Sequence, residues 1–246
     1  MYRRQRPKRR TAWKAGKAQW KKRRVPQQLT LARRVCNCGM NVLDLKNHIE
    51  GGSFMQQLKD RIRAEGKVLP GNIIKVDGFL NHRVDVALMR KMAREFARLF
   101  DLTGITAVLT VEASGIAIAS ICADEFGVPM VFAKKAKSDN IEGGLYRSDI
   151  HSYTYKKDVT LLLSRQWLTG QDKVLIVDDF LANGEALRGL VEIVEQAGSQ
   201  LIGIGVAVEK GFQPGGKRLR GNGHNLKSLA IIDKADENGI EFREGN

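Results

Sequence analysis

"VLIVDDFLANGEA", residues 174–186, sets four apolar residues, Val174 to Val177, directly before two adjacent aspartates and then passes into a small-residue loop containing Asn183-Gly184. An unbroken apolar run of this kind, bounded by turn residues, predicts a strand buried on both faces, as in a parallel sheet. Gly184 opens a segment with Leu187, Leu190, Val191 and Val194 at helical spacing. The stretch therefore reads as strand, acidic pair, tight loop and helix.

That order admits two readings. In one, Asp178 and Asp179 merely begin a turn, and Asn183-Gly184 supplies a positive φ. In the other, the backbone amides of the loop and of the helix N-terminus face an anion. Residues 182–186 then cradle a phosphate, and the two carboxylates hold sugar hydroxyls, directly or through Mg²⁺. The loop lacks the Lys-Ser/Thr of a P-loop and the G-x-G-x-x-G of a dinucleotide site, which weighs against nucleoside triphosphate hydrolysis and hydride transfer.

Working outward, "MQQLKDRIRAEG" places Met55, Leu58 and Ile62 at helical spacing, with Gly66 as the expected C-cap. "VALMRKMAREFARLF" repeats the pattern with Val86, Met89, Met92, Phe96 and Phe100. Apolar strands then alternate with helices through "ITAVLTVE", "GIAIASICADEF", "VPMVFA", "DVTLLLS", "KVLIVDD", "GEALRGLVEIVEQAG" and "LIGIGVAVE". This alternation predicts an α/β fold, a central parallel sheet covered by helices on both faces. In such a sheet ligands bind at the carboxyl ends of strands near the point where strand order reverses.

The net charge of +14 suggests nucleic acid until its distribution is examined. Residues 1–54 hold 15 Lys and Arg against 2 acidic residues, net +13, whereas residues 55–246 hold 26 against 25, net +1. The front segment, from "MYRRQRPKRR" through "KKRRVPQQ", has the composition of disorder, and a domain boundary is expected just before Met55. "EGGSFM" implies codons that resemble a purine-rich ribosome-binding site ahead of an ATG, so Met55 is the expected initiator and residues 1–54 an over-extended reading of the gene. A solvated basic tail and a targeting sequence are the alternatives. No apolar run reaches the length of a membrane span, and the N-terminus lacks the apolar core of a secretion signal. The three cysteines, Cys36, Cys38 and Cys122, do not suit a disulfide framework, and a lone C-x-C near His48 is far from structural zinc spacing. A cytoplasmic setting is expected.

The strand, acidic pair, small-residue loop and helix resemble the PRPP-binding signature of the type I phosphoribosyltransferases. Through "MQQLKDRI", "KVDGFLNHRVD", "VEASGIAIA", "VPMVFAKKAKS", "VLIVDDFLANGEA" and "VAVEKGFQPG", residues 55–246 are similar in order and spacing to the bacterial xanthine phosphoribosyltransferases of that family. The resemblance implies the type I phosphoribosyltransferase fold with a small hood built from the N- and C-terminal parts of the domain. It also implies transfer of the 5-phosphoribosyl group of PRPP to N9 of xanthine, giving XMP and pyrophosphate in purine salvage. Mg²⁺ would accompany PRPP, held mainly by the substrate with no direct protein ligand, and the enzyme would be a homodimer.

Residue by residue, the resemblance makes Ala182, Asn183, Gly184, Glu185 and Ala186 the 5-phosphate loop, and Asp178 and Asp179 the ribose-binding pair. Ala113, Ser114 and Gly115 match the pyrophosphate loop, where small residues let the backbone approach the ligand. Lys134 and Lys135 would neutralise the departing pyrophosphate; the plainer reading makes them a solvated charge cluster. Ile74, Asn81 and Lys210, with Phe212 nearby, match the base site, where Asn81 both donates and accepts and Lys210 donates to a carbonyl oxygen. Otherwise Asn81 is a turn residue and Lys210 a surface charge. Segment 137–157, "KSDNIEGGLYRSDIHSYTYKK", has the composition of a water-excluding lid or of an ordinary hairpin. Two positions depart from the pattern. Ile74 stands where Leu is commoner, and Glu185 where Gln is common, which sets a carboxylate beside a phosphate. The competing functions are another purine phosphoribosyltransferase, for guanine, hypoxanthine or adenine, and a PRPP-sensing transcription regulator of the same fold.

Overall fold

Leu58 and Ile62, one helical turn apart, are fully buried on one side of α1 (Gly51–Glu65), and the helix closes with the Gly66 N–H donating to Ile62 O at 2.8 Å. The protein is described by a computed structural model over residues 51–71, 73–135, 144–152, 157–237 and 239–244. All of these belong to one contact unit, Asn47–Asn246. α1 begins ahead of Met55, and Phe54 packs against the core, so the boundary expected just before Met55 falls inside a helix.

A ribbon of β1 (Lys67–Leu69) and β2 (Ile73–Lys75) follows, then a π-helical turn at Asp77–Asn81 that buries Phe79 and Leu80. α2 (Val86–Leu99) starts at an N-cap aspartate, Asp85, which accepts from the Leu88 N–H at 3.0 Å. Its predicted face is buried at Met89, Met92 and Phe96, and Phe100 is buried just beyond its end. Val86, expected on that face, is exposed because it occupies the first turn, at the edge of the covered surface.

The chain continues through β3 (Ala107–Val111), α3 (Gly115–Phe126), β4 (Met130–Lys135), β5 (Leu145–Ser152), β6 (Lys157–Ser164), β7 (Lys173–Leu181), α4 (Glu185–Ala197), β8 (Gln200–Lys210), α5 (Pro214–Gly221), β9 (Leu226–Asp236) and β10 (Gly239–Phe242). These strands form one sheet in the order β10-β9-β8-β7-β3-β4-β6-β5. β9, β8, β7, β3 and β4 run parallel, as the strand and helix alternation predicts. β10, β6 and β5 add antiparallel edges. "DVTLLLS" therefore leaves the expected parallel set. It is reached from its hairpin partner β5, and only a long crossover, usually helical, brings a chain back parallel.

Strand alternation sorts the core into two layers. Val174 and Ile176 of β7 share a cluster with Leu187, Leu190 and Ile193 of α4; Leu175 and Val177 share the other with Phe96 of α2 and Ile118 and Cys122 of α3. Cys122 is a free, fully buried thiol whose pKa is pushed up by burial, which makes it an unreactive core residue. Cys36, Cys38 and His48 lie outside the described residues.

Within segment 137–157, residues 145–152 take the hairpin form. β5 pairs with β6 from Leu145 opposite Ser164 to Ser152 opposite Lys157 and buries Ile150 against α4. That docking depends on Gly189, where a Cβ would stand 2.7 Å from Ile150 Cγ2. The remaining residues of the segment read as a lid or a hairpin, 137–143 and 153–156, lie outside the described residues.

Candidate active site

Strand order reverses between β3 and β7. From β3 the chain passes through α3 to β4 on one side; from β7 it passes through α4 and α5 to β8 and β9 on the other. The carboxyl ends of these two parallel neighbours open the crevice in which such sheets bind ligands, and the opening motif ends one of its walls. β7 runs on to Leu181, so Asp178 and Asp179 lie within the strand rather than after it, Asp178 opposite Val206 of β8.

Both aspartates are buried, at 5% and 4% exposure. Burial pushes the Asp178 carboxyl well above the usual carboxylate range, and the neighbouring Asp179 pushes it further. The Asp179 N–H, which donates to Asp178 Oδ1 at 3.0 Å, and the Lys135 charge oppose this without reversing it. Asp179 is engaged from the other wall, its Oδ1 accepting from Ser114 Oγ at 3.0 Å. Ser114 precedes α3, in the loop that leaves β3 through a cis Glu112–Ala113 peptide bond. Gly115 fits against both strands. A Cβ there would stand 2.3 Å from Thr110 Oγ1 and 2.4 Å from Asp178 Oδ1, so only hydrogen fits. The pair read from sequence as ribose-binding and the loop read as pyrophosphate-binding are thus brought into contact.

On the far side of the aspartates, Gly184 takes φ +84 and α4 starts at Glu185. The first amides of a helix have no intrahelical acceptors, and they point back along its axis at the loop of Ala182, Asn183 and Gly184. α5 braces this loop. The Gly215 N–H donates to Ala182 O at 3.1 Å, and a Cβ on Gly215 would stand 2.3 Å from that oxygen. Ala186 lies in the first turn of α4, half-buried against the core.

The two lysines divide. Lys135, half-buried at the end of β4, is close enough to act on Asp178, and its N–H donates to Glu112 Oε1 at 2.6 Å. Lys134 is exposed, and the alternation of the strand sends it the other way. Glu185 does not turn toward the loop. Its carboxylate, 17% exposed, receives Arg188 Nε at 3.1 Å and Arg218 Nη1 at 3.0 Å.

The residues read as the base site lie toward the hood. Ile74 is buried in β2, within the cluster that includes Ile232, the β9 partner of Lys210. Asn81 ends the π-helical turn, and its Oδ1 is buried without a hydrogen-bond partner among the described residues. Such an orphan acceptor suits a ligand donor. Lys210 ends β8, and burial lowers its pKa. Phe212 is exposed just beyond it. Ion pairs and ring contacts hold the hood: Arg61 to Asp85 at 3.6 Å and over the Phe79 ring at 5.4 Å, and Arg63 over the Phe242 ring of β10 at 4.8 Å.

Four residues enter the site that sequence reasoning did not select. Glu112 acts through its carboxylate on the Lys135 N–H of a neighbouring strand, and Gly215 through its close approach to Ala182, and neither contact is local in the sequence. Arg188 stands three residues after Glu185, a legible helical pair. Arg218 reaches Glu185 from α5 across 33 residues and gives no local signal.

The fold and this site define a class. Residues 79–228 match the family model for the phosphoribosyl transferase domain. The xanthine phosphoribosyltransferase of Lachnoclostridium phytofermentans is 51% identical over 191 residues, 77% of this chain and 98% of that protein. Xanthine phosphoribosyltransferase 1 of Clostridium perfringens is 48% identical over 190 residues, 77% of this chain and all of that one. Among solved structures, the APRTase of Giardia lamblia complexed with 9-deazaadenine matches with TM-score 0.60 at 26% identity, over 71% of this chain and 96% of that chain. The adenine phosphoribosyltransferase of Thermoanaerobacter pseudethanolicus, 21% identical with TM-score 0.57 over 72% of this chain and 98% of that one, shares the fold. The chain belongs to the phosphoribosyltransferase family, and within it to the xanthine phosphoribosyltransferases.

Proposed function

We infer that the protein transfers the 5-phosphoribosyl group of PRPP to N9 of xanthine. The bond from ribose C1 to the pyrophosphate oxygen breaks, the C1–N9 bond forms, the N9 proton is released, and XMP and pyrophosphate leave. The observation that carries this reading is the pairing at the switch point of a buried acidic couple with an amide-lined loop, in a chain about half identical to xanthine phosphoribosyltransferases over nearly their whole length.

Displacement at C1 builds positive charge on the ribose and negative charge on the leaving group, so catalysis rests on positioning and electrostatics. The loop of residues 182–186 holds the 5-phosphate. Asp178 and Asp179 meet the ribose hydroxyls from the end of β7. Ser114 and Gly115 present the loop after β3 to the pyrophosphate, and Lys135 offsets its charge. Mg²⁺ enters as part of the PRPP substrate. The acidic pair fits that arrangement, because Asp179 Oδ1 is already engaged by Ser114 Oγ, which suits hydroxyl and water contacts rather than caging a bare ion. When bound, the metal neutralises the departing pyrophosphate.

For the base, Ile74 supplies the apolar slot, the orphan Asn81 Oδ1 accepts from a purine N–H, and Lys210 donates to a carbonyl oxygen. A lysine donor favours an oxopurine over adenine, whose exocyclic amine presents hydrogens there. A PRPP-dependent assay of the full chain with xanthine, hypoxanthine, guanine and adenine tests this. Xanthine should give the highest kcat/KM; turnover with no base would sink the enzyme reading, and adenine as best substrate would sink the base assignment. The family resemblance also supports a cytoplasmic homodimer, to be checked by light scattering. Among the described residues no helix is long and apolar enough to cross a membrane.

A further inference from the structure

Glu185 is the first residue of α4, at the helix end whose amides face the phosphate loop. A carboxylate there interacts favourably with the helix N-terminus, but it competes for the same field with the 5-phosphate of PRPP. Left uncompensated, it would repel that phosphate through a partly dry cleft, where charges are weakly screened. The structure instead binds both carboxylate oxygens. Oε2 receives Arg188 from the same helix, and Oε1 receives Arg218 from α5.

The two arginines are differently committed. Arg188 is tied into the fold, with its Nη1 on Glu192 and its Nη2 donating to Asp149 O of β5 at 2.7 Å. Arg218, half-exposed, has Glu185 as its salt-bridge partner among the described residues. It lines a cavity of about 280 Å³ between α4 and α5 that opens at Asn183 and Gly184, so the ion pair borders the phosphate loop itself. α5 therefore reaches the loop twice, by the Gly215 N–H on Ala182 O and by Arg218 on Glu185.

We propose that Arg218 is a positioning residue for PRPP: its guanidinium holds the Glu185 carboxylate away from the 5-phosphate loop and cancels its charge, so that a loop carrying an acid still accepts a phosphate dianion. The proposal rests on the PRPP reading of the site. It makes Glu185 and Arg218 a coupled pair in which loss of the arginine is harmful only while the acid is present.

The test is a double-mutant cycle in the full chain, with PRPP affinity measured by calorimetry in Mg²⁺ and by steady-state kinetics. Arg218→Gln should weaken PRPP about three- to tenfold, in Kd and KM alike, with kcat and the KM for xanthine changed by less than about twofold. Raising the salt concentration should shrink that loss only modestly, because the Glu185 carboxylate is 17% exposed and screening reaches it weakly. Glu185→Gln should bind PRPP at least as tightly as the unmodified chain, and Glu185→Gln/Arg218→Gln about as well as Glu185→Gln, whereas loss of a merely structural contact would weaken Glu185→Gln as well. An unchanged PRPP affinity in Arg218→Gln overturns the proposal. So does an equal loss with and without Glu185, which would mean that Arg218 touches the phosphate directly. If the unmodified chain binds no PRPP, the functional reading itself fails, a result distinct from both.

Discussion

Asp178 is a buried carboxyl, which gives its chemistry a measurable signature in stability. Burial raises its pKa above the unfolded value, so above that unfolded value the unfolded chain ionises while the folded protein keeps its proton. The resulting penalty is absent in acid and grows as pH rises through the window between the two pKa values. Asp178→Asn removes the ionisation and keeps the shape. It should therefore raise Tm near neutral pH, by about 2–4 °C for each kcal/mol relieved, with the gain fading toward about pH 4; calorimetry across that range reads it. Asp179→Ala, which removes the partner of Ser114, should raise the KM for PRPP about tenfold with every base, whereas Lys210→Ala should change the ranking of bases. Equal losses with all four bases would contradict the role given to Lys210. At this scale the sequence displayed the aspartates and the loop, because each is local, and the Glu185–Arg188 pair, though local, was passed over. The sequence could not display Arg218, whose partner is distant along the chain, or the unequal fates of Lys134 and Lys135, which the pleat of β4 decides.

The same division runs through the elements. β7 and α4 were legible because each carries its own pattern: a continuous apolar strand, then a helix with one apolar face starting at a glycine in the left-handed region. The direction of β6 was not, since the apolar run of a strand is the same whether its neighbour runs parallel or antiparallel. Nor does the periodicity of α5 announce that it braces the loop of Ala182, Asn183 and Gly184. That role rests on the Gly215 approach, and Gly215→Ala tests it. The added methyl meets the Ala182 carbonyl, so the helix must move off the loop at a cost of about 1–3 kcal/mol. A lower Tm together with a raised KM for PRPP is the expected result; a lower Tm alone would separate α5 from the site.

Across the whole molecule, the sheet places the two loops of the crevice side by side although 64 residues separate Ser114 from Asp178 along the chain, and the hood closes on helix α1. Because α1 begins at Gly51 and Phe54 packs on the core, a chain starting at Met55 should lose about 1–2 kcal/mol against one starting at Asn47, with melting temperatures as the readout. Equal melting temperatures would place the functional start at Met55. What the sequence determined by itself is what local chemistry encodes. The alternation of apolar runs and amphipathic helices implies the layered parallel sheet, and an acidic pair before a small-residue loop marks residues 178–186 as the candidate site. What only the tertiary structure decided is everything that depends on burial and on distant partners: the raised pKa of Asp178, which lysine reaches the crevice, and how the Glu185 charge is answered. Burial sets the pKa of Asp178 through the water it excludes, and the ion pair from α5 exists only because two helices far apart along the chain pack together. Neither quantity is a property of any short stretch of residues.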